Sequence, residues 1–237
     1  MLAQSRENIR TINSAAVAEC TILAGIAVML LAKVASGTIV YYINPRWEPL
    51  VIAGAIVLLI AAIVPIRDFW RTPQRHIQSG HILLCIPLLL GVILPARPLG
   101  ADAFADSNQN TVIPGMLAPS DDDTVNWNLL QWSMALSVRG DELAGRPIDV
   151  TGFVYHDREQ TSGTFTVARY VIICCTADSN GVRLPVIWHD SAAFETDKWV
   201  TVRGTLGSIE KDGRTLPAIL AKTVTRIGRP EHPYLYP

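Results

Sequence analysis

The chain has 237 residues, with 20 Lys plus Arg against 21 Asp plus Glu and a formal charge of −1. That balance excludes a partner chosen by net charge, whether a polyanion or a strongly basic surface. Only 17% of the residues are charged and 49% are hydrophobic, where soluble domains carry about 25% charged residues; the deficit lies in the first hundred residues.

Three apolar runs fill that part: Thr21 to Ile43, Leu50 to Ile66 and Ile82 to Leu94. A helix crossing the ~30 Å hydrocarbon core needs about 20 apolar residues. The runs predict a membrane domain over residues 1–99 with three transmembrane helices, at about 17–43, 50–66 and 80–99. The third is the shortest, contains Pro87 and reaches across only with help from Ile77 and Leu99. Trp47 and Trp70 suit the interfacial belts on either side of the second. Arg6 and Arg10 precede the first helix, and Arg67, Arg71 and Arg75 lie between the second and third; Arg46 and Arg97 stand alone on the opposite side. This bias predicts a multi-pass protein of the inner cell membrane, its N-terminus cytoplasmic and everything beyond residue 99 extracytoplasmic. Arg71 and Arg75, the third run and Ala101 to Ala105 loosely resemble an internal secretory signal, but bulky and charged residues spoil the small-residue cleavage pattern.

Lys33 falls within the first predicted helix, where a charge costs on the order of 2.5–3.5 kcal/mol. It either snorkels to the outer interface or pairs with a carboxylate of a partner membrane protein. His81, Pro87 and Gly91 share the short third helix. They are either ordinary membrane-helix texture or a place of kinking and close approach to a partner.

Residues 100–124, rich in Ala, Asp, Ser, Asn, Pro and Gly, predict a flexible connector. A soluble domain over 125–237 follows. Ser120 to Thr124 offer caps for a short amphipathic helix over Val125 to Leu136, with Asp121 to Asp123 as its solvated acidic start rather than a weak cation site. Five strand-like segments come next: Arg146–Tyr155, Thr164–Cys175, Val182–His189, Lys198–Leu206 and Thr215–Ile227. Asp178 to Gly181 and Lys211 to Arg214 read as turns. Gly152 and Gly204 sit inside strands one and four, where glycine lets a strand coil sharply enough to close a sheet. The fold class is therefore membrane α plus all-β: three helices and then a small OB-like five-stranded β-barrel over about 145–227. An open sandwich is the alternative.

OB barrels often hold oligonucleotides. Between Gly145 and Ile227, however, ten basic residues face nine acidic ones, without the excess that tracking phosphates requires; nucleic acid is not an expected partner. No serine elbow, Walker loop, zincin helix or dinucleotide fingerprint is present, so neither an enzyme nor a cofactor is expected. Asp190, Glu195 and Asp197 read as a solvated loop.

Cys174-Cys175 is the one local feature with reactive potential. Thiolates are soft metal ligands, and His189, His156 or Asp190 could complete a site. Neighbours in a strand point to opposite faces, which argues against one ion taking both sulfurs. A disulfide between them is strained. The remaining reading packs one cysteine in the barrel core and leaves the other on the surface or at the strand end.

His81…Pro87-Leu-Leu-Leu-Gly91…Pro95-Ala…Leu99-Gly100, Val150-Thr-Gly-Phe-Val154, Arg169…Ile173-Cys-Cys-Thr-Ala-Asp178 and Trp199-Val-Thr-Val-Arg-Gly204 together resemble the YcgQ-like family. Its members are regarded as the small subunit of two-component membrane permeases. The resemblance runs from the first helix to about Ile227, and Arg169, Cys174, Cys175 and Asp178 match its most specific segment. It implies an accessory role beside a separate, larger polytopic permease in the lipid bilayer.

Overall fold

The computed structural model describes residues 13–69, 78–104, 118–119, 123–157, 162–211 and 213–237. The chain divides into two compact units, Met1–Arg97 and Pro98–Pro237.

The first unit is helical. Helix α1 spans Ser14–Ala35, and the buried Asn13 caps it by accepting the Ala16 N–H. It stops where Ser36 bonds back to Ala32 and Gly37 takes a left-handed φ of 68°. Helix α2 spans Glu48–Ile63 and is flanked by 3-10 turns. Ser14–Ala35 and the continuous stretch Pro45–Arg67 are each long and apolar enough to cross a membrane. The third predicted span differs from expectation. Helix α3 covers only Ser79–Ile93, because Leu94 turns extended ahead of Pro95, whose ring disfavours helix in the residue before it. Fifteen residues rise about 22 Å, short of the hydrocarbon core. Of the residues that set the predicted topology, Arg6, Arg10, Trp70, Arg71, Arg75 and Ile77 lie outside the described residues.

Helix α1 packs against both α2 and α3. Buried positions on α1 and α2 are mostly small: Ala15, Ala16, Ala27, Ala55 and Ala62. Gly25 abuts Leu88, and Gly91 abuts Met29. These pairs climb both helices in the same order, so α1 and α3 run parallel. Small residues let helix backbones approach where no aqueous hydrophobic effect drives them together. Leu50, Val57 and Ile60 on α2, and Leu83, Val92 and Ile93 on α3, are exposed; the last two keep 70% of their surface.

The second unit is a closed ring of five strands: β1 (Pro147–Tyr155), β2 (Thr164–Val171), β3 (Asn180–Ile187), β4 (Trp199–Lys211) and β5 (Arg214–Ile227), in the order β1-β2-β3-β5-β4 with β4 returning to β1. Four pairings are antiparallel, and β3 with β5 is parallel through Val186–Ile219 and Ile187–Leu220. The two strand glycines stand where backbones come closest. A Cβ on Gly152 would lie 2.5 Å from the Ala168 carbonyl oxygen, and one on Gly204, at a register shift, would strike the Leu220 carbonyl.

Helix α5 (Leu129–Arg139) lends Leu129, Leu130, Trp132 and Met134 to the core shared with Val150, Phe165, Val167, Val202 and Ile219. It starts later than the sequence predicts. Asn128 is the cap, accepting the Leu130 and Gln131 N–H groups while Gln131 Oε1 accepts the Asn128 N–H at 2.8 Å. The proposed caps Ser120, Asp121 and Asp122 lie outside the described residues.

A second cluster lies apart from this core: Phe104, Phe153, Tyr170, Ile172, Trp199 and Tyr234, with Phe104 edge-on to Phe153 at 5.7 Å and to Tyr170 at 5.5 Å. It fixes residues that composition assigned to a flexible connector. Leu99 N–H donates to the Tyr234 hydroxyl at 2.8 Å, Tyr170 O–H donates to the Gly100 carbonyl at 3.0 Å, and Ala101 N–H donates to Asp197 Oδ1 at 2.6 Å. Short helix α4 (Ala101–Phe104) buries Phe104 completely. Asp197, expected in a solvated loop, thus holds the incoming chain, in a left-handed conformation of φ 67°.

Candidate functional site

The residues singled out by sequence fall into two groups, one in each unit. In the helical unit His81 opens α3. Its Nδ1 accepts the Gln78 N–H at 3.1 Å, which leaves the ring proton on Nε2, 3.3 Å from Glu19 Oε1 on α1. The side chains are 15% and 41% exposed, so the pair is partly withdrawn from its surroundings. Beside it lies a groove of about 590 Å³ lined by Ser14, Val17, Thr21, Ile22, His81 and Ile82. Glu19 escaped the sequence reading because it precedes the first apolar run; what places it at His81 is the parallel course of α1 and α3. Pro87 lies inside α3, between the two glycine contacts. Lys33 is not at mid-span. It sits in the last turn of α1, where a cation suits the helix dipole, with Nζ 5.1 Å from the centre of the Tyr42 ring.

In the ring unit Arg169 is a clamp. Its Nε donates to the Pro233 carbonyl at 3.0 Å and its second guanidinium nitrogen to the His232 carbonyl at 2.6 Å, over the face of Trp199 at 5.5 Å. Burial lowers its pKa from the ordinary value, while the Tyr236 phenol pulls it up. The tail it holds continues the sheet: Val171 bridges to Leu235, Leu235 N–H donates to the Tyr170 carbonyl at 2.8 Å, and Ile172 N–H donates to the Leu235 carbonyl at 3.1 Å.

Strand β2 therefore ends at Val171, four residues before its predicted end, and the cysteine pair lies in a turn. Asp178 makes that turn. Its Oδ1 accepts the Ile173 N–H at 2.9 Å, and its Oδ2 accepts Cys174 N–H at 2.7 Å and Cys175 N–H at 3.3 Å. Three consecutive amides thus converge on one carboxylate, the kind of backbone concavity that holds an anion. The Cys175 sulfur accepts the Asp178 N–H in return. Out of strand geometry, the two side chains no longer diverge. Both sulfurs and a carboxylate oxygen of Asp178 lie within 4.8 Å of one another. Cys174 is exposed and Cys175 half-buried, so neither packs in the core, contrary to the packing expectation. Desolvation, then the adjacent Cys175 and Asp178, hold the Cys174 thiol above its ordinary pKa.

The other candidate ligands are elsewhere. Among the described residues the cluster comprises Cys174, Cys175 and Asp178 and does not include His189, His156 or Asp190. The His189 ring lies against Trp188, centroids 4.9 Å apart. His156 Nε2 donates to the Phe194 carbonyl at 2.7 Å.

The sequence matches the DUF1980 N-terminal domain over residues 18–109 and the DUF1980 C-terminal domain over residues 114–237. It is 24% identical over 267 aligned residues to a Streptococcus mutans protein named "Putative two-component membrane permease complex subunit", an alignment covering 91% of this chain and 97% of that one. It is 31% identical over 97 residues to the UPF0703 protein YcgQ of Bacillus subtilis, across 40% of this chain and 34% of that protein.

Proposed function

This chain belongs to the DUF1980 family, the YcgQ-like family its residues resemble, and we propose that it is the membrane-anchored accessory subunit of a two-component permease. The observation that carries the reading is the Streptococcus mutans relative, aligned over 97% of its length and named "Putative two-component membrane permease complex subunit". The helical unit supports it physically. Its buried positions on α1 and α2 are mostly alanine, with Gly25 and Gly91 at the contact of α1 with α3, while α2 and α3 leave many large apolar side chains uncovered. Those faces suit lipid and the helices of a larger polytopic permease. Few helices leave little volume for a pathway, since transporters commonly enclose theirs between many helices in repeats.

In this reading α3 is the third membrane segment, its shortfall met by local thinning of the bilayer; it runs parallel to α1, and its Glu19-paired His81, with Pro87 and Lys33, belongs to the surface that meets the permease. The N-terminus is cytoplasmic and the ring unit extracytoplasmic. In this reading the ring is an OB-type barrel, which its closed order β1-β2-β3-β5-β4 with one parallel pairing supports. It serves as a rigid head that presents the Cys174 turn beside the permease, binds no nucleic acid and carries out no reaction of its own.

Purification from mild detergent tests the assignment. The tagged protein is expected to bring down a larger polytopic membrane protein, and liposomes are expected to need both chains for uptake. A chain that runs alone and transports alone removes the reading.

A further inference from the structure

We infer that Cys174, Cys175 and Asp178 form an exchange site for one thiophilic cation of the Zn(II) class. The inference stands apart from the permease assignment, since it concerns only what this turn can ligate.

The donor set is chemically selective. Two sulfurs and one carboxylate oxygen within 4.8 Å of one another are soft and borderline donors together. Calcium and magnesium want oxygen cages instead. The spacing is also right in scale. Two sulfurs at about 2.3 Å from one tetrahedral ion lie roughly 3.8 Å apart. Small rotations about the cysteine side chains close the cluster onto an ion.

Asp178 gives the turn its shape before any ion arrives. It gathers the N–H groups of Ile173, Cys174 and Cys175, and Oδ1 has accepted one hydrogen bond, leaving a lone pair for a cation. The backbone of both cysteines is thereby held while their sulfurs stay free of the core.

Three protein donors leave at least one coordination position open, and Cys174 is exposed. Closed structural zinc sites use four protein ligands, whereas sites that exchange a ligand keep one position free. The site therefore accepts and surrenders its ion by ligand exchange at the surface. No electron is transferred; each thiol that binds loses its proton to water as its sulfur–metal bond forms.

The test uses the full chain in detergent, reduced and metal-free, titrated with Zn(II) against a chromophoric chelator. One Zn(II) per chain is expected. Cys174→Ser and Cys175→Ser should each weaken binding by at least about 100-fold, and Asp178→Asn by about 10-fold. Both cysteine positions lie outside the core, so melting of the serine variants reports that the ring is intact. With Co(II) as the probe, the sulfur-to-metal charge-transfer band should halve in either serine variant. His189→Ala should bind as the parent does. Unchanged Zn(II) affinity in the double serine variant overturns the site, as does loss of binding in His189→Ala.

Discussion

The two units use the same small residues to opposite ends. In the helical unit the buried positions of α1 and α2 are mostly alanine, glycines stand at two helix contacts, and many large side chains face outward. In the ring unit the large side chains fill the interior, and glycine appears where one strand's backbone crosses close to another's. The difference follows from the surroundings each has to satisfy. Among lipid tails a leucine gains nothing by turning inward, so helices meet through close backbone approach. In water the gain is from removing apolar area, roughly 25 cal/mol per Å².

The comparison is most open to refutation at its glycines. Gly204 faces backbone, the Leu220 carbonyl and Ala221 Cα, which cannot rotate away. Gly91 faces the thioether end of Met29, and Gly25 a Leu88 methyl group, both of which can. Gly204→Ala should destabilise the ring by about 3 kcal/mol, the upper end of overpacking costs, and Gly91→Ala the helices by under about 1 kcal/mol. Equal losses in thermal melting of the two variants would erase the distinction. Arg169→Met should come next. It strips the His232 and Pro233 carbonyls of a charged donor, at a cost of about 2 kcal/mol. Limited proteolysis should then cut within residues 228–237, while the helical unit keeps its melting profile.

Smaller effects sharpen the picture within the aromatic cluster. Tyr234→Phe removes the acceptor of the Leu99 N–H and should cost about 1 kcal/mol. Tyr236→Phe should stabilise at neutral pH, by about 1 kcal/mol, because its buried hydroxyl makes no protein hydrogen bond. At high pH the same residue matters. Burial, then the Tyr234 phenol, push the Tyr236 phenol up to about 12 against the opposing pull of Arg169, and Tyr170 is raised further. A phenol raised in the folded state favours folding in its neutral form. Its contribution is complete below the unfolded value of about 10 and is lost as pH rises through about 12. Ultraviolet titration should show late-ionising tyrosines, and Tyr236→Phe should reduce the alkaline fall in melting temperature. A melting temperature equally pH-dependent in parent and variant speaks against the assignment.

How much of this was legible in the chain depends on whether the cause was local. The split between helices and strands was readable, because apolar runs and alternating β-branched segments are local patterns. Gly152 and Gly204 were readable as places where a strand coils, whereas the close backbone approach there was not. The end of α3 was written in Leu94-Pro95 but was overridden by counting apolar residues up to Leu99. Asn128 and Gln131 spelled a capping box that the nearer run of aspartates obscured. Other features depend on residues far apart in sequence. Glu19 meets His81 only because α1 and α3 are parallel. The cysteine side chains converge only because the β2–β3 ladder stops at Val171 and Asp178 folds the chain back. The residues after Ile227 carried no strand pattern, yet they supply Tyr234 and Leu235.

The fastening of Leu99 to Tyr234 and of Gly100 to Tyr170 also decides how the ring unit meets mechanical load. A pull arriving along the chain through Pro98 reaches those two phenols first and the strand ladder only after they yield. They act as a strain relief, like the grip where a cable enters its plug. Tugging on the stem should free Pro98 to Phe104 in a small early step, with the strands beyond still paired.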